Sequence, residues 1–486
     1  MKLRELIREL PYLVDTRGDM ETEILNLTSS SREKTEAGLF FCICGARFDA
    51  HDFAPQAVEN GCVALVVERY LDAVEVPQIR VSNGRAAMAR IAATFYGWPS
   101  RQMRMVGITG TKGKTTTSYM LKSILEAAGL KCGLIGTTGN MIGSERLDSH
   151  FTTPDPIELQ QTLRKMADAG VQAVSMEVSA HAVDMYRLDG MEFEVGCYTN
   201  LSRDHLDWFG TMEHYFETKK RFFTSGMVKN AALNADAETT ARILAGLPCP
   251  RITYGIAENA DVFARDIELS EDGVSFQIVL HSALSCQVRL KMTGNFNVYN
   301  ALAAASCAMI MGISKENIQK GLESIVSVPG RVEMLQTGTP YRVILDYSHS
   351  PDALRNILET VREFTHGRVI ALFGCGGDRD QGKRPKMGEI GGQLADLCIL
   401  TSDNPRSEDP LTILEAIEEG IRPTGKPYVV IENRREAIRH ALQIAKKGDV
   451  VLLAGKGHET YQEIRGIRYP FDEKKVVAEL LAEMGD

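Results

Sequence analysis

The stretch Met105-Val106-Gly107-Ile108-Thr109-Gly110-Thr111-Lys112-Gly113-Lys114-Thr115-Thr116-Thr117 decides the fold. A short apolar run enters the turn Gly110-Thr111-Lys112-Gly113 and leaves through Lys114-Thr115-Thr116. Met120, Leu121, Ile124, Leu125 and Ala128 then recur at helical spacing, and Gly129 closes the pattern. Strand, glycine-rich turn and helix in this order make a phosphate loop. The glycines let backbone N–H groups turn onto an anion, and the helix N-terminus adds its partial positive charge. In this reading Lys114 reaches the β- and γ-phosphates of a nucleotide, and the Thr115 hydroxyl ligates Mg²⁺. The strict G-x-x-x-x-G-K-[ST] spacing fails, because Ile108 stands five residues before Gly113, but the shorter Gly-Thr-Lys-Gly-Lys-Thr-Thr fits. An ordinary glycine-rich strand-to-helix turn is the competing reading.

Working outward, 486 residues leave room for roughly three domains, each with its own core. A 44% hydrophobic and 24% charged composition is that of an ordinary soluble protein. The net charge of −9 and the lack of a long basic run argue against nucleic acid as the main partner. The ten cysteines are scattered, and Cys42-x-Cys44 has no matching Cys/His pair at zinc spacing, so reduced thiols in a cytoplasmic protein are expected. The charged, interrupted N-terminus does not read as a signal peptide, and no stretch approaches 18 uninterrupted apolar residues, so no membrane span is expected.

Residues 1–98 read as a small α/β domain, with apolar strands at 39–44 and 63–67 and helices at 53–60 and 84–96. Ser29-Ser30-Ser31-Arg32 and the run from Gly45 to His51 read either as solvated loops or as a binding edge. Residues 99–328 form a central, mainly parallel domain behind the phosphate loop. Glu177 ends a buried strand over 171–178, where an acid can hold Mg²⁺ opposite Lys114 and Thr115. A third strand, 195–198, leads to Asp204-His205-Leu206-Asp207, in which His205 is a metal ligand, an orienting group or a loop ion pair. Lys219-Lys220-Arg221 reads as a solvated face. Alternating residues over 261–292 predict antiparallel strands, and Asn297 and Asn300 precede an Ala-rich helix over 301–311. From 329 to 486 strand and helix alternate in a Rossmann-like domain. Its strand ends carry four polar clusters: Asp346-Tyr347-Ser348-His349, 374–380, 402–406 and 455–459.

Taken together, these runs resemble the ATP-dependent Mur ligases. The resemblance is carried by Gly110–Thr116, Glu177-Val178-Ser179-Ala180-His181, Thr199-Asn200, Asp204–Asp207, 294–300, Pro329-Gly330-Arg331 and 346–352, in that order across nearly the whole chain. Folylpolyglutamate synthases share much of this scaffold. Gly376-Gly377-Asp378-Arg379-Asp380, Asp403-Asn404-Pro405-Arg406 and Gly455-Lys456-Gly457-His458-Glu459 narrow the likeness to family members that add meso-2,6-diaminopimelate, rather than L-lysine, to a UDP-N-acetylmuramoyl dipeptide. Diaminopimelate carries a second carboxylate that an Arg fork recognises; lysine leaves that Arg unpaired.

The resemblance implies a three-domain α/β fold and an ADP-forming ligase of cytoplasmic peptidoglycan synthesis. It implies ATP held by Gly110, Thr111, Lys112, Gly113, Lys114, Thr115, Thr116, Asn297, Arg331 and Asp346, with Lys114, Glu177, His205 and Lys219 as the catalytic group. Two Mg²⁺ ions are expected at Thr115, Glu177, His205 and Lys219, the last carbamylated by CO₂ to N6-carboxylysine. The UDP-linked substrate is expected at Ser31, the loop 44–46, Thr152, Thr153, Ser179 and Arg187. Diaminopimelate is expected at Arg379, Asp403, Asn404, Pro405, Arg406, Gly455 and Glu459. Small-molecule substrates and a monomeric chain are expected. Ala180, Met185 and Phe209 depart from the family pattern, which commonly has Ser, Gln and His there. A lysine-adding or folate-type sibling, and a phosphate-loop ATPase without ligase chemistry, are the rival readings.

Overall fold

The computed structural model describes residues 1–45, 48–147, 151–270, 273–280 and 284–485. Three principal sheets form, their strands falling within residues 13–81, 104–290 and 333–454. The first contains β1 (Leu13–Arg17), β2 (Asn26–Thr28), β3 (Gly38–Phe41), β4 (Cys62–Val67) and β5 (Gln78–Val81), in the order β1-β5-β4-β3-β2. Only β1 is antiparallel to its neighbour. Successive side chains point to opposite faces, so Leu39 and Phe41 join one core and Phe40 and Cys42 the other. The strand is shorter than the 39–44 expected. After Phe41 the chain leaves the ladder, and Cys44 bridges back to Asp49.

The central sheet is built on β6 (Arg104–Thr109), which the sequence places before the phosphate loop. It continues with β7 (Cys132–Ile135), β8 (Asn140–Ile142), β9 (Glu145–Leu147), β10 (Ala173–Glu177), β11 (Val195–Tyr198), β12 (Ala231–Asn234) and β13 (Arg251–Gly255). Their order is β13-β12-β11-β6-β10-β7-β8-β9, so β6 lies parallel between β10 and β11. Loops at the carboxyl end of such a central strand border the crevice where open α/β sheets bind ligands. The helix Lys114–Ala127 buries Met120, Leu121, Ile124 and Leu125, each contributing about 1.5–3 kcal/mol. It stops because Gly129 takes φ +83°. The Gly129 N–H then bonds the Glu126 carbonyl and the Leu130 N–H the Leu125 carbonyl, which satisfies two open helix-end acceptors.

The alternating stretch forms β14 (Val262–Ser270), β15 (Gly273–Leu280) and β16 (Leu284–Leu290), neighbours in sequence order. Two- and three-residue connections are too short for parallel crossovers, so this ribbon is antiparallel, as expected. The helix expected at 301 starts earlier, at Asn295 (Asn295–Ile310), and takes Asn297 and Asn300 into its first turns.

The third sheet comprises β17 (Glu333–Leu335), β18 (Arg342–Asp346), β19 (Val369–Phe373), β20 (Leu397–Leu400), β21 (Tyr428–Val430) and β22 (Val450–Ala454), in the order β17-β18-β22-β19-β20-β21. All pairs but β17–β18 are parallel. The four polar clusters therefore end adjacent parallel strands on one edge. A hairpin follows, β23 (Tyr461–Ile464) and β24 (Ile467–Pro470). By internal contacts the chain forms two compact units. One is Met1–Ala264, Ile278–Cys286 and Tyr299–Gly321; the other is Arg265–Gln277, Gln287–Val298 and Leu322–Asp486. Among the described residues no helix is long and apolar enough to cross a membrane.

Candidate active site

In the first unit the phosphate loop is shaped by two glycines. Gly110 has φ +147°, and a Cβ there would lie 1.9 Å from the Thr199 hydroxyl oxygen. Gly113 has φ +86°, and its Cβ would lie 2.5 Å from Asn300 Oδ1. Both positions require glycine for conformation and for space. Thr199 and Asn200 brace the loop from β11. The Thr199 hydroxyl and Asn200 Nδ2 donate to the Lys112 carbonyl at 2.7 and 3.1 Å, and the Lys112 N–H donates to Asn200 Oδ1 at 2.9 Å. Thr115 and Thr116 are buried in the first helical turn.

Lys114 Nζ donates to the carbonyls of Gly110 and Thr111, both at 2.9 Å. Lys219 Nζ donates to the same Gly110 oxygen at 2.9 Å. The solvated face expected for 219–221 is not found at Lys219, which is buried. On the helix Met212–Thr224 it shares a stripe with Tyr215, Phe216, Phe222 and Phe223. Its Nζ lies 4.5 Å from the Tyr215 ring centroid, and the Tyr215 hydroxyl is 3.3 Å from that of Thr111. Burial and the nearby Lys114 charge push the Lys219 pKa well below its ordinary value, against the pull of Asp204.

Glu177 ends β10 beside this loop, in register with Ile108. Its Oε2 accepts from the Thr115 hydroxyl at 3.0 Å and from the Thr137 hydroxyl at 3.2 Å, and its Oε1 accepts from the Thr137 N–H at 2.9 Å. Among the described residues no group of three or more His, Cys, Asp or Glu is arranged to hold a metal. The available oxygen donors, one carboxylate and one hydroxyl, still suit Mg²⁺, which keeps waters and completes its shell with substrate phosphates. A carbamate on Lys219 would add a second anionic donor. His205 has φ +53° and meets His181 edge-to-face at 4.8 Å; burial lowers its pKa, with Lys114 and Lys219 adding to the effect against Asp204.

The expected peptide-binding residues gather around Glu177. Thr152 and Thr137 share a hydroxyl hydrogen bond of 3.0 Å, and the Thr153 hydroxyl donates to the Glu177 carbonyl at 2.9 Å. The Ser179 N–H donates to Thr153 Oγ1 at 3.0 Å, and the Ser179 hydroxyl caps the helix Ala180–Asp184. Arg187 is buried, donates to the Thr153 carbonyl at 2.6 Å and pairs with Asp155 at 2.9 Å. Met185 lies against its guanidinium, Nη2 to Sδ 3.8 Å. Phe209 packs on His181 and Tyr215. Ser31, in the turn after β2, donates to Gln56 at 2.9 Å. Ala46, expected in the same subsite, lies outside the described residues.

The second unit carries the rest. Asn297 Nδ2 donates to the Thr293 carbonyl at 2.8 Å. Asp346, at the end of β18, accepts the Val332 N–H at 2.8 Å and the Ser348 hydroxyl, which fixes the turn after Arg331. The Arg331 guanidinium lies over Tyr347, whose ring meets His458 at 4.9 Å. Arg379 is exposed in the loop after β19. Arg406 (φ +52°) donates through Nη1 to the Gly377 carbonyl at 2.7 Å, and its Nε lies 3.6 Å from Glu463 Oε2. Pro405 places its carbonyl against Gly377, where a Cβ would approach to 2.0 Å. Asn404 Nδ2 donates to Glu459 Oε2 at 2.9 Å. Asp403 is buried, with Oδ2 2.4 Å from where a Cβ on Gly455 would sit. Two partners were not foreseen. Lys456 donates to Asn404 Oδ1 at 3.0 Å, and β23 lies beside Arg406 through the Arg406–Ile464 bridge.

A phosphate loop on one parallel sheet and a charged loop cluster on another define a three-domain, nucleotide-dependent ligase, and the chain belongs to the Mur ligase family. Residues 108–308 match the Mur ligase middle domain, 330–457 the Mur ligase glutamate ligase domain and 23–96 the Mur ligase family catalytic domain. The chain is 44% identical over 489 residues to UDP-N-acetylmuramoyl-L-alanyl-D-glutamate--2,6-diaminopimelate ligase 1 of Clostridium acetobutylicum, covering 100% of both chains. It is 44% identical over 487 residues to the ligase of the same kind from Caldanaerobacter subterraneus, covering 99% of each. A solved structure of a UDP-N-acetylmuramoyl-L-alanyl-D-glutamate--2,6-diaminopimelate ligase superposes with a TM-score of 0.72 at 31% identity, over 100% of this chain and 99% of that one.

Proposed function

We propose that this chain joins meso-2,6-diaminopimelate to the D-glutamate γ-carboxylate of UDP-N-acetylmuramoyl-L-alanyl-D-glutamate at the expense of ATP. ADP and phosphate are released, and the reaction belongs to cytoplasmic peptidoglycan precursor synthesis. One observation carries the reading: the acceptor-discriminating loop Asp403-Asn404-Pro405-Arg406 stands beside Glu459 in a chain otherwise alike, end to end, to ligases of that name.

The γ-carboxylate attacks the ATP γ-phosphate to give an acyl phosphate. The diaminopimelate amine then attacks the acyl carbon, and phosphate leaves. Both partners of the first step are anions, so most of the catalysis is charge neutralisation and alignment. In this reading Lys114 swings from its loop carbonyls to the phosphates, and the loop N–H groups of 110–116 cradle them. Thr115 and Glu177 hold Mg²⁺, with His205 nearby and Lys219 as carbamate. When bound, that metal spreads the charge of the transferring phosphoryl group. Asn297, Arg331 and Asp346 serve the nucleotide. Ser31 holds the UDP end of the substrate, and Thr152, Thr153, Ser179 and Arg187 hold its peptide end. Asp403, Asn404, Gly455 and Glu459 receive the acceptor's non-reacting ammonium group, and Arg379 and Arg406 its distal carboxylate.

The test is phosphate release with ATP, Mg²⁺ and UDP-N-acetylmuramoyl-L-alanyl-D-glutamate, with meso-diaminopimelate or L-lysine as acceptor. Turnover with diaminopimelate alone is expected. Turnover with lysine overturns the acceptor assignment, and ATP hydrolysis independent of any acceptor overturns the ligase reading.

A further inference from the structure

Lys456 follows β22 in a turn set by Gly455 (φ +118°) and Gly457 (φ +53°), and its side chain is fully buried. A buried ammonium persists only where its charge is matched. Here Nζ lies 3.0 Å from Asn404 Oδ1 and 3.3 Å from Glu459 Oε2, with the Tyr461 ring centroid 5.8 Å away. Its charge also acts on Asp403. Burial alone would raise the Asp403 pKa, yet Lys456, ahead of Arg434, His349 and Lys383, holds it below the ordinary value. Arg434 is itself matched by Glu473 at 2.8 Å, whereas Lys456 pairs with Glu459.

Lys456 also decides which way the Asn404 amide points. Oδ1 accepts from Lys456 Nζ and from the Glu463 N–H at 2.9 Å, while Nδ2 donates to Glu459. A flipped amide would set its NH₂ against two donors and its oxygen against a carboxylate. The arrangement therefore has one solution, and it leaves one Asn404 amide hydrogen uncommitted. Without the Lys456 ammonium, Asn404 Oδ1 would keep only the Glu463 N–H, and Glu459 would lose the cation that holds it beside Asn404.

We propose that Lys456 is a positioning residue for acceptor selection, holding the Asn404 amide in one orientation and the Glu459 carboxylate beside it, so that the two together receive a diamino acid. The inference rests on the function proposed above. Wild-type turnover is measured first with meso-diaminopimelate, L-lysine and other diamino acids. KM for acceptor, ATP and sugar nucleotide, and kcat, are then measured for Lys456→Met and Lys456→Gln, the latter keeping a donor for Asn404 Oδ1 should the former fail to fold. The expected result is an acceptor KM raised at least tenfold, with the other two KM values within twofold of wild type. An unchanged acceptor KM, or three KM values rising together, overturns the role of Lys456 while the proposed function stands. Absence of wild-type turnover with every acceptor overturns the proposed function and this inference with it.

Discussion

Lys114 and Lys219 donate to one and the same acceptor, the carbonyl oxygen of Gly110, each at 2.9 Å. Two ammonium groups on a single buried oxygen repel, and the more deeply buried of them gives up its proton more readily. That is Lys219, whose pKa is lowered first by burial and next by Lys114. A neutral amine is the form that adds CO₂. Carbamylation would turn a repelling cation into an anion beside Lys114, which gives the proposed modification a physical motive in this loop.

Lys219→Met is therefore expected to melt higher than the parent at pH 7 in carbon-dioxide-free buffer, while ligation falls to background. The sign follows from linkage. Between the folded pKa and the ordinary lysine value the unfolded chain binds the extra proton, so the penalty from Lys219 deepens as pH falls and disappears above that ordinary value. The gap in Tm between the two proteins should narrow as the pH is raised toward about 10. Thermal melts at several pH values read this directly, and a Met variant that melts lower at pH 7 would contradict it.

Lys114→Ala tests the phosphate loop. The side chain donates to the Gly110 and Thr111 carbonyls, and Lys219 still donates to Gly110 when Lys114 is truncated, so the protein should stay folded. Turnover should drop by about 10³-fold or more, roughly 4 kcal/mol of transition-state stabilisation. Near-normal phosphate release would remove the assignment.

Much of this was legible in the sequence because local chemistry dictated it. The phosphate loop follows from glycines that no Cβ can replace, and Glu177 lands beside Thr115 because β10 runs parallel to β6, whose loop leads straight into the helix that carries Thr115. Lys219 was legible in part. A reading of the charge run alone misplaced it, whereas the Tyr215, Phe216, Phe222 and Phe223 stripe on the same helix passes through it. The hairpin beside Arg406 was missed. Its turn, Arg465-Gly466, takes positive φ at both residues, a conformation that Asn-Gly or Asp-Gly would have signalled more strongly. Lys456 was not legible, since nothing local indicates that a lysine between two glycines points inward to Asn404.

Glu177→Gln should separate metal binding from folding. The amide oxygen can keep the Thr137 N–H, and the Thr115 and Thr137 hydroxyls can rotate to accept from the new NH₂. Stability should fall by about 1 kcal/mol. The Mg²⁺ concentration for half-maximal activity should rise at least about tenfold, because the one carboxylate on Thr115 is lost. A magnesium titration that superposes on wild type would exclude Glu177 as a ligand.

Arg406→Ala addresses the acceptor. In the protein its Nη1 is tied to the Gly377 carbonyl and its Nε lies 3.6 Å from Glu463 Oε2, which together fix the guanidinium plane. Its backbone is held separately by the bond from the Arg406 N–H to the Glu463 carbonyl at 3.0 Å. Truncating the side chain should therefore spare the loop, and Ala at φ +52° is strained no more than Arg was. Loss of a desolvated, charge-assisted contact costs about 2–5 kcal/mol. The KM for meso-diaminopimelate should accordingly rise roughly thirtyfold or more. The ATP KM should stay within twofold. Arg406→Lys should restore little, since an ammonium has the charge but not the fork. Initial-rate measurements with each substrate varied in turn decide the matter. If diaminopimelate and ATP are weakened alike, Arg406 supports the loop as a whole and the discrimination lies elsewhere.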